Sequence, residues 1–230
     1  MTDLADDIVE RVTRAFDAAI DAEKAPAMKA YMRDQFDFLG IPSPARIALG
    51  RDAIDGLAKP TEADLIAVSR ALWTKREREY QYFAAWYLRR HERVLTADFV
   101  GTARHLLTTT PWWDTIDELA QNVVGPLVRR DRVLVATMDE WIEDEDFWLA
   151  RTAILHQNRW KADTDAERLF RYCTRRAPDT EFFIRKAIGW ALREYTRIDP
   201  EAVRRFVAEH DAELSGLSKR EALKWLDRRQ

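Results

Sequence analysis

Trp113 and Asp117 lie four residues apart in the stretch Pro111-Trp112-Trp113-Asp114-Thr115-Ile116-Asp117. On a helix that spacing puts an indole and a carboxylate on one face, a turn apart. An aromatic plane beside an anion can hold a cation, or a transition state that becomes one. The same residues also read as a core aromatic followed by a solvated acid, and taken alone the segment favours that plainer reading. Trp112 falls on a different face and is expected in the core. Elsewhere His91, His105, His156 and His210 are scattered without metal-ligand spacing. No P-loop, glycine-rich dinucleotide pattern or nucleophile elbow is present, so neither a metal nor a cofactor is expected.

A chain of 230 residues can bury a sizeable core in a single domain, 1–230. Seven glycines and eight prolines, set against abundant Ala, Leu, Arg, Glu and Asp, predict an all-α class. Nine tryptophans exceed what packing needs, so some are expected to face a ligand. The formal net charge of −3 excludes a broad basic field over the whole molecule. A single cysteine, Cys173, excludes an internal disulfide and fits a reducing cytoplasm, with packing as its role. The acidic start, Thr2 to Asp7, resembles neither a signal nor a transit peptide, and no apolar run approaches membrane-spanning length. A cytoplasmic protein without membrane contact is expected.

The elements that must position Trp113 and Asp117 follow from periodicity and caps. A first helix is predicted over Asp3 to Ala22, with Ile8, Val9, Val12, Phe16 and Ile20 on one face. Pro26 opens a second helix, to Phe36. Ser43 caps a third that reaches Leu57, and Thr61 caps a fourth. Beyond this the chain repeats: Tyr80, Trp113, Phe147 and Phe182 fall in register at separations of 33, 34 and 35 residues. Helices are predicted between them at Thr96 to Thr109, Asp131 to Ile142 and Ala166 to Arg176, then from Asp199-Pro200 to Glu213. Ser218-Lys219-Arg220-Glu221 reads as a capping box that opens a last helix to Asp227. The pattern is an α-solenoid of HEAT-like helical hairpins.

In such an array equivalent positions form ladders. Four residues after each aligned aromatic the ladder reads Ala84, Asp117, Arg151, Lys186; one turn on it reads Leu88, Gln121, Leu155, Trp190. These mixed polar and aromatic rungs predict a binding groove. Lys75, Arg76, Arg78, Arg89, Arg90, Arg151, Arg159, Lys161, Arg185, Lys186, Arg193 and Arg197 give it positive charge. The acidic block Asp139-Glu140 and Glu143 to Asp146 sits at a turn, on the outside. A concave basic groove is thus expected despite the near-neutral total, although at least half of these cations are expected only to solvate helix faces.

Four ordered stretches carry a family resemblance: Tyr31 to Ile41, Trp112 to Asp117, Phe147 to Ala153, and Phe183 to Tyr195. Together they resemble the AlkD-type DNA alkylation repair glycosylases over nearly the whole chain. The resemblance implies an array that wraps duplex DNA containing alkylated bases and excises cationic N3- and N7-alkylpurines, such as 3-methyladenine and 7-methylguanine, without a metal. It assigns Asp117, Trp113 and Trp190 to the surroundings of the lesion, Arg151 to a basic contact near it, and Tyr31 to the opposite strand. Lys186, Arg185 and Arg193 are expected on DNA phosphates, and a monomer suffices. The competing expectation is a non-catalytic solenoid that binds DNA or a protein.

Overall fold

Thr2 accepts the backbone N–H of Ala5 and opens α1 (Asp3–Asp17), whose Ala5, Ile8, Val12 and Phe16 recur every three or four residues and are fully buried. In this computed structural model residues 2–226 are described. By internal contacts they form two compact units that divide between Thr102 and Ala103. Among the described residues the fold is all-helical, of the HEAT-like repeat kind, with one isolated β-bridge between Asp37 and Glu77.

In the first unit, α1 stops well short of the predicted Ala22, and Ile20 is 56% exposed. The cause is Asp21, whose carboxylate accepts the backbone N–H groups of Glu23 and Lys24 and so competes with the helix. Gly40 presses on this turn at φ +87; a Cβ there would lie 2.0 Å from the Asp21 carbonyl oxygen. α2 (Ala25–Tyr31) begins with Pro26 in its first turn, as predicted. It ends before Phe36 because Arg33 and Asp34 both adopt left-handed backbone conformations. α3 (Ser43–Ala53) takes Pro42, not Ser43, as its N-cap and ends before Leu57. α4 (Glu62–Trp73) opens on a complete Thr61–Asp64 capping box, and Asp64 also accepts the Thr2 hydroxyl, which ties α1 to α4.

α5 (Arg78–Arg90) completes this unit's layers: Phe16 packs on Tyr80 and Phe83 at centroid distances of 5.6 and 6.1 Å. Glu79 is fully buried and its carboxylate accepts three backbone N–H groups, from Leu39, Gly40 and Ile41, at 3.0, 2.9 and 3.1 Å. Arg78, expected in the groove, is fully buried with its guanidinium 3.9 Å from the Phe36 ring centroid. Arg76, expected there too, pairs with Asp37.

The hairpins follow. α6 (Val100–Thr108) is entered through a short 3-10 turn capped by Thr96. α7 (Trp113–Leu119) passes through a π-helical segment, Ala120–Val124, into α8 (Gly125–Arg130). α9 (Val135–Trp141), α10 (Phe147–Leu155), α11 (Ala166–Arg175), α12 (Phe182–Tyr195) and α13 (Pro200–Glu209) come next. Asp131, Asp146, Asp165 and Asp199 lend side-chain oxygens to the helical segments that follow them. α14 (Gly216–Leu223) is capped by Ser215, not Ser218, which is its third residue; the predicted end at Asp227 lies outside the described residues.

The helices α5, α7, α10 and α12 start at Arg78, Trp113, Phe147 and Phe182, separated by 35, 34 and 35 residues. The register expected from aromatic residues therefore holds for the last three and slips by two in the first, where Tyr80 is the third residue of its helix. By helix position it is Tyr82, not Ala84, that corresponds to Asp117.

Candidate active site

Trp112 is the extended N-cap of α7, at φ −157 and ψ 159. Its ring lies 6.0 Å from Trp148 and 5.2 Å from Phe183, and those two are 4.9 Å apart, centroid to centroid. Three helix starts are thereby clamped by one aromatic cluster, in which Trp112, expected in the core, is half-buried. With the starts of α7, α10 and α12 fixed together, their fifth residues form consecutive rungs: Asp117, Arg151 and Lys186.

Asp117 and Arg151 meet face to face. Arg151 donates Nε to Asp117 Oδ1 at 2.8 Å and Nη2 to Oδ2 at 2.9 Å, a two-pronged pair. Its Nη1 donates to the Phe183 carbonyl, and its guanidinium carbon lies 5.8 Å from the Phe183 ring centroid. The Arg151 side chain is 5% exposed and the Asp117 side chain 17%. Arg151, expected against DNA, is thus turned inward as the clamp on Asp117. Burial pushes the Asp117 carboxyl above its ordinary range and the neighbouring Asp114 adds to this, while Arg151 pulls it back down. Trp113, half-buried, is the first residue of α7, a turn before Asp117 on the same helix.

Past Asp117 the helix widens. In the π segment the Gly125 N–H reaches back five residues to the Ala120 carbonyl. Pro126 has no N–H to continue a regular ladder, and Gly125 lies against α10, where a Cβ would stand 2.1 Å from the His156 carbonyl oxygen. The dipeptide Gly125-Pro126 was the one local signal for this irregularity. Gln121, inside the π segment, donates Nε2 to the Asp117 carbonyl oxygen at 3.1 Å.

Gln121 and Trp190 line the same cavity, of about 570 Å³, whose wall also includes Gln157, Tyr195, Arg159, Lys161 and Arg197. A space of this size suits a nucleoside-sized group. Trp190 is half-buried, whereas Arg159 and Lys161 are exposed. The structure therefore connects Asp117, Arg151, Gln121 and Trp190 through direct contacts and one shared cavity.

The remaining predicted cations are engaged within the protein. Lys186 and Arg193 both pair with Glu221 of α14; Lys186 lies at 2.9 Å and is 38% exposed. Burial opposes ionisation of Glu221, yet Lys186 and Arg193 hold its carboxyl below the usual range. Arg185 donates to the Asp179 carbonyl at 2.8 Å. Tyr31, at the end of α2 in the first unit, is 73% exposed. The acidic block is partnered as well: Asp139 with Arg168 and Arg171, Glu143 with Arg175, and Asp144 with Arg104. Sequence reading had set these acids apart as an outer face, because partners some 30 or 40 residues away leave no local mark.

Residues 12–226 match the family model described as "DNA alkylation repair enzyme". A solved structure described as a predicted DNA alkylation repair enzyme from Enterococcus faecalis is similar at a TM-score of 0.83 and 31% identity, covering 90% of this chain and 96% of that one. No curated protein matches this chain.

Proposed function

Since the chain belongs to the DNA alkylation repair enzyme family, we propose that it is a monofunctional DNA glycosylase, hydrolysing the N-glycosidic bond of positively charged N3- and N7-alkylpurines in duplex DNA. The observation that carries this reading is the Asp117 carboxylate, fixed by Arg151 one helical turn before Gln121, which bonds the Asp117 backbone carbonyl and lines a cavity with Trp190. A cationic purine is already a good leaving group and needs no protonation. What it needs is help for the sugar, which becomes oxocarbenium-like as the bond breaks.

Asp117 supplies that help. A carboxylate about 4 Å from the developing charge contributes about 4 kcal/mol at an effective dielectric near 20, roughly a thousandfold in rate. Arg151 keeps the carboxylate ionised and aimed, at the expense of part of its field. Trp113 and Trp190 flank the sugar and base, each adding about 0.5 to 2 kcal/mol by cation–π attraction. Exposed Arg159 and Lys161 at the cavity wall, together with Lys186, take phosphates of the lesion-bearing strand, and exposed Tyr31 reaches the opposite strand. Arg193 and Arg185 contribute through the packing of α12. In this reading the 1–230 chain acts as one domain and a monomer in the reducing cytoplasm, consistent with a single cysteine, Cys173, that is buried.

The test is release of methylated base from alkylated duplex DNA by the wild-type protein and by Asp117→Ala. A loss of about a thousandfold is expected in the variant. Equal release by both, or none by the wild type, contradicts the proposal.

A further inference from the structure

The cavity that Trp190 lines contains a buried polar side chain that the chemistry above leaves unused. Gln121 is 7% exposed and lines the cavity with Trp190. A carbonyl oxygen only accepts, so the bond from Gln121 Nε2 to the Asp117 carbonyl fixes which end of the amide is which: the NH₂ is taken by that carbonyl and Oε1 lies off the bond. Among the described residues nothing donates to that oxygen, and it is not sealed from solvent. An amide held at one end, with its other end an open acceptor at a cavity, is poised for a small donor.

Asp117 and Gln121 are four residues apart, so their side chains leave the helix about one turn, roughly 5.4 Å, from each other. A water donating to two acceptors at about 2.8 Å each joins oxygens about 4.5 Å apart, a gap that side chains on adjacent turns can close. We propose, building on the glycosylase reading, that Gln121 Oε1 and the Asp117 carboxylate together hold the attacking water. The water oxygen bonds to C1′ of the deoxyribose as the C1′–N bond breaks. The bond's electron pair leaves with the purine and cancels its positive charge. The proton of the water passes to Asp117. Held by two acceptors, the water turns a lone pair toward the cavity, and the π segment is the device that places Gln121 there.

A structural role for Gln121 and a water-holding role differ in which nucleophile reaches the sugar. Alkylated duplex is therefore treated with excess enzyme in a water–methanol mixture, and alkali-labile abasic sites are counted against alkali-resistant methyl glycosides. The wild type should give at least threefold less methyl glycoside than spontaneous depurination of the same DNA in the same mixture. Gln121→Leu should release base roughly 10- to 100-fold more slowly, with its methyl glycoside fraction rising to the spontaneous value. Spontaneous release in an enzyme-free control is subtracted, so the fraction counts only enzyme-catalysed events, and incomplete folding of a variant lowers their number without changing their composition. A wild-type fraction already at the spontaneous value, or an unchanged fraction in Gln121→Leu, overturns the water-holding role alone. Absence of base release by the wild type overturns the glycosylase reading as well, before any change at Gln121.

Discussion

In the proposed site Arg151 serves through Asp117 and does not touch the substrate. Its guanidinium is spent on Asp117 and the Phe183 carbonyl, with only 5% of the side chain exposed. The consequence is a pH effect. Burial raises the Asp117 carboxyl and Arg151 opposes that rise, and in the proposed chemistry only the ionised form is active. Activity should therefore fall as pH drops through a value above the ordinary Asp range. Arg151→Gln removes the opposing charge, so the acid limb of the single-turnover rate should move to higher pH, while affinity for undamaged duplex changes little. A pH–rate profile for the two proteins, with a binding titration beside it, checks both parts. A limb that stays in place would mean that Arg151 does not set the Asp117 charge.

Element geometry in this chain depends on a few buried polar anchors. Glu79 holds the backbone of residues 39–41 against α5 through three N–H donors. Glu79→Ala leaves those donors buried and unmet, and should lower unfolding free energy by about 3 kcal/mol, measured by urea denaturation. A second anchor is His156, at the end of α10. Burial is the main cause that pushes its pKa from 6.5 down to about 4, with Arg168 and Arg132 adding to the effect against the Ala153 carbonyl. The folded state thus keeps His156 neutral where the unfolded chain would protonate it. Its contribution is fully present above pH 6.5 and is lost as pH falls towards 4, up to roughly 3 kcal/mol at about 1.4 per unit. A neutral replacement such as His156→Phe should flatten that part of the stability curve, whatever its effect at neutral pH. The Thr61 cap and the Pro26 helix start were legible in sequence because each is a local device. The π segment was not, because its cause lies partly in the approach of Gly125 to the His156 carbonyl, 31 residues on.

For the molecule as a whole, several of the cations expected along a groove are taken up inside the protein. Arg78 is buried, Arg76 is held by Asp37, and Lys186 and Arg193 share Glu221. In the proposed reading phosphate contact therefore falls most heavily on exposed cations such as Arg159 and Lys161. Replacing both by Gln should weaken duplex binding across sequences and reduce the slope of log affinity against log salt by about 1.5 to 2, as fluorescence anisotropy over a salt series would show. The sequence by itself determined the all-helical class, the hairpin repeat and the placing of Asp117, Arg151 and Lys186 at equivalent positions of α7, α10 and α12, because periodicity and capping are written in neighbouring residues. Only the tertiary structure decided that Asp117 and Arg151 clasp each other, that Glu221 claims Lys186, and that Gln121 opens on the Trp190 cavity. Those outcomes depend on which helix faces pack together, and that is set by the combined burial of residues tens of positions apart, not by any one stretch of chain.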